Sequence, residues 1–136
     1  MNSFQMRLLD SQGGRDIDRV EAFVGNDQSG SFSIWAQHQR FITLLEFGLA
    51  RYRCHNDDWV YIAMPGALLH VEANLLQLVS RRFIIDSDYQ RISQLLTEQL
   101  LAEEQALQAT KRSLRHMEEE IIRQLWQHAR GSEGLS

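Results

Sequence analysis

Short apolar runs separated by turn-forming residues fill the first 86 positions of the chain. Phe4, Met6 and Leu8 alternate with polar neighbours, and this two-residue period is typical of a half-buried β-strand. The other predicted strands are the alternating set Val20, Ala22 and Val24 and the apolar runs at residues 32–35, 41–45, 49–53, 59–64, 68–71 and 75–79.

Polar turn segments connect several of these runs. His55-Asn56-Asp57-Asp58 lies between two of them, and Glu72-Ala73-Asn74 lies between the last two. Each segment therefore predicts a β-hairpin. Many short strands at close spacing indicate an antiparallel β-sandwich or barrel. Parallel pairing is not expected, because it needs crossover connections that are usually helical, and this part of the chain predicts no helix.

The composition changes abruptly after Asp86. Residues 87–130 contain no glycine and no proline, and Asp86 or Ser87 is a suitable helix N-cap. Gly131 is a suitable end for the helix, which leaves residues 131–136 as a short frayed tail. Apolar residues recur at spacings that are mostly three, four or seven, as in an amphipathic helix: Tyr89, Ile92, Leu96, Leu100, Leu107, Leu114, Met117, Ile121 and Leu125.

The chain is therefore expected to have two parts, a β-sandwich domain over residues 1–86 and a helical arm over residues 87–136. One uninterrupted helix would be about 65 Å long at about 1.5 Å per residue. The arm is thus a long helix or a helical hairpin. A fold-back would come at residues 102–106 or at Ala109-Thr110, where the apolar stripe is poorest. No residue there demands a turn, so a single helix is favoured.

Charge and hydropathy restrict the classes of partner. The net charge is −4 and 43% of the residues are hydrophobic, so we expect no general attraction to nucleic acid. No apolar run approaches the roughly 20 residues of a membrane span, so direct membrane insertion is not expected. The single cysteine, Cys54, has no internal disulfide partner, which is typical of a reducing compartment.

The sequence offers no set of residues with catalytic, cofactor-binding or metal-ligating spacing. None of the five histidines has a second histidine or the cysteine at zinc-site spacing. The chain is therefore expected not to be an enzyme and to hold no cofactor. One charged cluster stands out on the arm, and it is read either as a solvated face or as a contact for an acidic partner protein: Lys111, Arg112, Arg115 and Arg123.

Residues 30–48 resemble the most recognisable segment of the epsilon subunit of rotary F-type ATP synthases. In that family the segment has glycines at fixed positions, a Pro-Gly-His triplet, an apolar pair and a threonine. The residues that fit are Gly30, Phe32, Ile34, His38, Phe41, Ile42, Thr43 and Gly48. The departures are Ser33 for a glycine, Ala36-Gln37 for Pro-Gly and Phe47 for a proline. Residues 59–71 are similar to the family's next pair of strands.

The resemblance implies a non-catalytic rotor subunit with an N-terminal sandwich and a C-terminal helical segment. It implies that His38 and Thr43 contact the gamma subunit. It assigns the contact with the membrane c-ring to one turn, made of Asp27, Gln28, Ser29, Gly30 and Ser31. The protein would be peripheral, at the cytoplasmic face of the plasma membrane.

The arm departs from the better known members of that family. Some of them carry an Asp, two residues and Arg-Ala for binding ATP, and residues 87–130 contain no such run. By resemblance, the basic cluster on the arm would contact the beta subunits and inhibit hydrolysis. A divergent, sodium-linked branch is one interpretation, and the coupling ion, proton or sodium, is left open. The alternative function is a stand-alone sandwich adaptor or coiled-coil chaperone that oligomerises through its helix.

Overall fold

A computed structural model describes residues 2–134 of the chain and the side chains of residues 2–130. Nine strands precede a helical segment. The strands are β1 Phe4–Asp10, β2 Gly13–Asp27, β3 Gly30–Trp35, β4 Phe41–Leu45, β5 Gly48–Cys54, β6 Val60–Met64, β7 Ala67–Glu72, β8 Leu75–Val79 and β9 Ile84–Asp86. The helical elements are α1 Tyr89–Leu95, a π-helical segment Leu96–Leu101 and α2 Ala102–Gly134.

The strands form a β-sandwich whose two layers share β2. The first layer contains β1, β8, β7 and β4 in that order, and the second contains β3, the second half of β2, β5, β6 and β9. The first half of β2 pairs with β1, with Phe4 opposite Val20. The second half pairs with both β3 and β5, so Phe23 lies between Ile34 and Tyr52. The predicted sandwich is confirmed.

One pair of strands is parallel, which corrects the expectation of an entirely antiparallel fold. β1 runs parallel to β8, with Gln5 opposite Leu75 and Leu9 opposite Val79. Helical crossovers were expected to be necessary for such a pair. Here the six strands between β1 and β8 make the connection instead. The first and last strands of the layer can therefore lie side by side with the same direction.

A β-bulge in β2 corrects the predicted set Val20, Ala22 and Val24. The register of β2 against β5 shifts between Val20 and Ala22, because β2 carries one extra residue there. Beyond the bulge Phe23 is completely buried, whereas Val24 is only half-buried. The alternation visible in the sequence thus does not continue across the bulge.

Apolar side chains from both layers fill the space between them. Phe4, Met6 and Leu8 of β1 are buried, as the alternation predicts. They belong to one core cluster with residues such as Phe23 of β2 and Ile62 of β6. Since strands with one buried face are held in register by that face, this cluster positions the outer faces as well.

The first part of the arm packs on the outer face of the second layer. Asp88 caps α1 by accepting a hydrogen bond from the Arg91 amide at 3.1 Å, so the cap lies beyond the predicted Asp86 or Ser87. Ile92 and Leu100 are buried beside Ala63 of β6 in a second cluster. The compact unit therefore ends at Leu101, although the strands end at Asp86. A self-sufficient domain over residues 1–86 stays a prediction.

The second unit consists of α2. This helix continues through residues 102–110 without a turn, so a single helix is observed there and not a hairpin. It also continues past Gly131 to Gly134, which corrects the predicted end, because glycine weakens a helix by only about 1 kcal/mol relative to alanine. The last two residues of the predicted tail lie outside the described residues. Among residues 2–134, no helix is long and apolar enough to span a bilayer.

The packing of the π-helical segment yields a prediction about stability. Leu100 is 1% exposed and its neighbour Leu101 is 37% exposed. Leu100→Ala should lower the free energy of unfolding by about 2–5 kcal/mol, because it leaves a cavity in the second cluster. Leu101→Ala is the matched control and should cost less than about 1 kcal/mol. Urea denaturation of the full chain measures both values.

The same reasoning applies to truncation. A chain ending at Leu101 should be more stable than one ending at Asp86 by on the order of 3 kcal/mol, since it keeps Ile92 and Leu100 buried. Equal stability of the two fragments would show that the helical segment does not contribute to the first unit.

Candidate interaction surface

The two faces of β4 differ in what they expose. Phe41, Thr43 and Leu45 lie on the side that faces the sandwich interior, and all three are buried or half-buried. Ile42 and Leu44 point the other way and are 55% and 70% exposed. Successive side chains of a strand point to opposite faces. The outer face of β4 is therefore apolar.

Leu44 belongs to a row of apolar side chains that crosses the first layer. It pairs with Leu68 of β7, Leu68 pairs with Val79 of β8, and Val79 pairs with Leu9 of β1. Leu44, Leu68 and Val79 are exposed, and Leu9 is half-buried. We call these four residues the apolar row. A contiguous exposed apolar patch of this kind is typical of a protein interface.

A second row, mostly polar, runs beside the apolar row. Ile42 pairs with His70, His70 pairs with Gln77, and Gln77 pairs with Arg7. The His70 ring nitrogen lies 3.2 Å from a Glu72 carboxylate oxygen. An apolar strip bordered by polar groups resembles the core and rim of an interface.

The sequence contains a signal for the apolar row that strand periodicity alone does not use. Four strands each contain two adjacent apolar residues, which strict alternation would not produce: Leu8-Leu9, Leu44-Leu45, Leu68-Leu69 and Leu78-Val79. In each pair one member is buried and the other belongs to the apolar row. Only the pairing register shows that the four outward members lie side by side.

Asp27 organises the turn between β2 and β3. Its carboxylate accepts hydrogen bonds from the amide and the hydroxyl of Ser29, and its second oxygen accepts one from the Thr43 hydroxyl at 2.7 Å. The bonds from Ser29 and Thr43 hold the pKa of the Asp27 carboxyl below its ordinary value. Gly30 follows with φ of +120°, a conformation that glycine adopts readily. Asp27 is therefore a structural carboxylate.

His38 lies in the loop between β3 and β4. Its Nδ1 is 2.7 Å from the carbonyl oxygen of Gln39, and its ring packs edge-on against Phe41. Asn74 positions the same loop from a distance. Its side-chain oxygen accepts a hydrogen bond from the Gln37 amide, and its side-chain nitrogen donates one to the carbonyl of Ser3. The loop is thus tied to the hairpin turn between β7 and β8.

The structure joins residues that the resemblance to the epsilon family assigned to different contacts. Thr43, expected at the gamma subunit, hydrogen-bonds Asp27 of the turn expected at the c-ring. His38 and Thr43 do not belong to the apolar row, and Thr43 lies on the opposite face of β4 from Ile42 and Leu44. The roles assigned to His38, Thr43 and the turn stay predictions.

The basic cluster lies on α2, where all four of its members are exposed. Arg123 forms an ion pair with Glu120 at 3.0 Å, three residues away on the same helix. An exposed pair of this type contributes about 0.3–0.5 kcal/mol. Among the residues that the structure describes, no group of three histidine, cysteine, aspartate or glutamate side chains is arranged to hold a metal ion.

The sandwich matches a known protein family. The model of the family described as "ATP synthase, Delta/Epsilon chain, beta-sandwich domain" matches residues 8–85, which is more than half of the chain. The chain belongs to this family. The match begins within β1 and ends within β9, so it covers both layers of the sandwich and the apolar row.

Solved structures show the same fold. One is a cryo-EM structure of the Euglena gracilis mitochondrial ATP synthase with OSCP, F1 and c-ring in rotational state 1. Its match has a TM-score of 0.57 and 14% identity, and covers 71% of this chain and 62% of that chain. The other is a cryo-EM structure of the Tetrahymena thermophila mitochondrial ATP synthase, described as central stalk and c-ring. Its match has a TM-score of 0.51 and 14% identity, and covers 59% of this chain and 64% of that chain.

Each match thus spans less than two thirds of the other chain. No curated protein matches this sequence.

The hydrogen bond between Asp27 and Thr43 predicts a pH effect. Thr43→Val removes one donor, so the pKa of Asp27 should rise toward its ordinary value. A carboxyl whose pKa is lower in the folded protein than in the unfolded chain stabilises the fold at pH values above its unfolded pKa. That stability is lost as the pH falls through the folded pKa. The variant should therefore lose less stability than the natural chain as the pH falls from the unfolded pKa of Asp27 through its lower folded pKa.

An NMR titration of the Asp27 carboxyl carbon measures this pKa. Thr110→Val is the matched control, because the Thr110 hydroxyl donates to the carbonyl of Ala106 within α2. It should leave the pKa of Asp27 unchanged. An unchanged pKa in Thr43→Val would show that the hydrogen bond does not stabilise the carboxylate.

Proposed function

We propose that this chain is a non-catalytic central-stalk subunit of an F-type ATP synthase, of the epsilon type, which couples the gamma subunit to the membrane c-ring. The observation that supports this most directly is the family match over residues 8–85. The two solved structures of similar fold come from ATP synthases. The same match favours a stalk subunit over a stand-alone adaptor or chaperone. We assign the chain no catalytic residue and no cofactor.

The apolar row is the proposed surface for the gamma subunit. Leu44, Leu68 and Val79 offer exposed apolar area on the outer face of the first layer. The outer face of the second layer is partly occupied, since Ile92 and Leu100 pack against it. The first layer is therefore the face with more apolar surface available for a partner. His38 and Thr43 are proposed to support the gamma contact indirectly, because Thr43 lies on the inner face of β4 and holds Asp27.

The turn at residues 27–31 is the proposed contact with the c-ring. It is polar and exposed at Gln28, Ser29 and Ser31, so it suits the polar loops of a partner. Leu45 pairs with Asp27, which brings the turn next to the β4 end of the apolar row. The two proposed contacts would then be adjacent, although the turn belongs to the second layer and the apolar row to the first. We place the protein peripherally, at the cytoplasmic face of the plasma membrane.

The arm is proposed to inhibit ATP hydrolysis by contacting the beta subunits. The feature behind this proposal is the basic cluster, whose members Lys111, Arg112 and Arg115 are exposed on α2. Acidic segments of a partner would attract such a cluster, and salt would screen that attraction beyond roughly 8–10 Å.

Replacing two residues of the apolar row should weaken gamma capture. Leu44→Glu with Leu68→Glu introduces two charges at exposed positions, so stability should change by less than about 1 kcal/mol. Affinity for a purified gamma subunit should fall at least about tenfold, because an interface centre does not accept unpaired charges. Ser33→Glu is the matched control on an exposed position of β3, and it should bind normally. Isothermal calorimetry of folded variants measures the affinities, and equal values would contradict this assignment.

Deleting residues 105–136 should raise ATP hydrolysis by the assembled complex. Changing Lys111, Arg112, Arg115 and Arg123 to alanine should produce much of the same increase, because the contact with the beta subunits is attributed to their charge. High salt should reduce the difference between the natural and truncated complexes. Steady-state hydrolysis rates provide the measurement. Equal rates at low salt would show that the arm does not inhibit the enzyme.

A further inference from the structure

Asn74 connects three segments that are far apart in the sequence. It lies in the hairpin turn between β7 and β8. Its side-chain oxygen accepts a hydrogen bond from the Gln37 amide at 2.9 Å, and its side-chain nitrogen donates one to the Ser3 carbonyl at 2.8 Å. Its own carbonyl accepts a third from the Gln5 amide at 3.2 Å. One residue thus joins the hairpin, the start of β1 and the loop between β3 and β4.

The amide that Asn74 holds belongs to a strained position of that loop. Gln37 has φ of +62°, in the left-handed region that residues with a Cβ atom rarely adopt. Glycine would adopt this conformation at little cost, but glutamine does not favour it. The conformation of the loop therefore needs support from outside, and the hydrogen bond to Asn74 supplies it. We call this hydrogen bond the latch.

The latch fixes the loop relative to the sheet. The contact between the His38 Nδ1 and the Gln39 carbonyl stays inside the loop. The latch instead joins residues that are 37 positions apart. A loop that is already held in its bound conformation loses less conformational freedom when a partner binds. The latch can therefore raise the affinity for a partner without adding a contact.

The loop borders the exposed face of the first layer. Residues 36–40 lead directly into β4, and the His38 ring packs edge-on against Phe41, the first residue of that strand. Arg40 is exposed and stands two residues before Ile42, which is 55% exposed on the outer face. A displacement of the loop would therefore change the border of that face.

We propose that Asn74 is a positioning residue for the gamma contact, because the latch keeps residues 36–40 in one conformation at its border. This inference rests on the proposed function, since gamma is the partner named there. Asn74 acts through the Gln37 amide, and the proposal assigns it no contact with gamma. The apolar row provides the buried area, and the latch orders the loop beside it.

Asn74→Gly tests the latch without disturbing the hairpin turn. Asn74 has φ of +63°, which glycine also adopts, so the variant loses the side-chain hydrogen bonds and keeps the turn. Its affinity for purified gamma should fall about fivefold, the factor that one hydrogen bond typically contributes. Amide hydrogen exchange at Gln37 in the full chain, without gamma, should become faster by a similar factor.

Two further variants separate positioning from a general loss of stability. Asn74→Asp keeps the oxygen that accepts from the Gln37 amide and loses the donor to Ser3, so it should bind gamma with close to the natural affinity. Asn56→Gly is the matched control, because Asn56 has φ of +61° in the turn between β5 and β6. It should leave both the gamma affinity and the exchange at Gln37 unchanged.

Isothermal calorimetry measures the affinities, and urea denaturation shows that each variant is folded. Natural affinity in folded Asn74→Gly would overturn the inference and leave the proposed function intact. Unchanged hydrogen exchange at Gln37 in this variant would overturn it without any partner. An Asn74→Asp variant as weak as Asn74→Gly would also contradict it, because the latch acceptor is still present. A natural chain that does not bind gamma would contradict the proposed function, and this inference with it.

Discussion

One strand has to serve both layers of this sandwich, and the rest of the fold depends on how it does so. β2 is 15 residues long and pairs with β1 in its first half and with β3 and β5 in its second. The bulge after Val20 changes which residues face inward. Gly25 then lies so close to the core that a Cβ atom would meet the Phe23 ring at 3.0 Å. Bulge and glycine together let β2 pass between the layers.

The two outer faces that result are not equivalent. α1 and the π-helical segment bury Ile92 and Leu100 on one face, against Ala63. The other face leaves the apolar row exposed, with Leu44 at 70%. Apolar area on a protein surface gains free energy when a partner removes it from water, at roughly 25 cal/mol per Å². The asymmetry therefore makes the first layer the better candidate for a stable protein contact.

The candidate site was only partly predictable from the sequence. Residues 27–31 were predicted as a unit, and they do form the turn and the start of β3. The link between Asp27 and Thr43 was not predicted, because the two residues are 16 positions apart and meet only through tertiary pairing. The apolar row was also missed. Each of its members looks like an ordinary neighbour of a core residue until the strands are placed in register.

The sequence by itself determined the elements whose signals are local. Strand periodicity predicted β1, the apolar run at residues 41–45 coincides with β4, and the change of composition after Asp86 marks where helix replaces strand. Tertiary structure alone decided the parallel pairing of β1 with β8 and the extension of the first unit to Leu101. The physical reason is the range of each interaction. Side-chain alternation and helix periodicity act between neighbours, whereas pairing partners and burial depend on residues dozens of positions away.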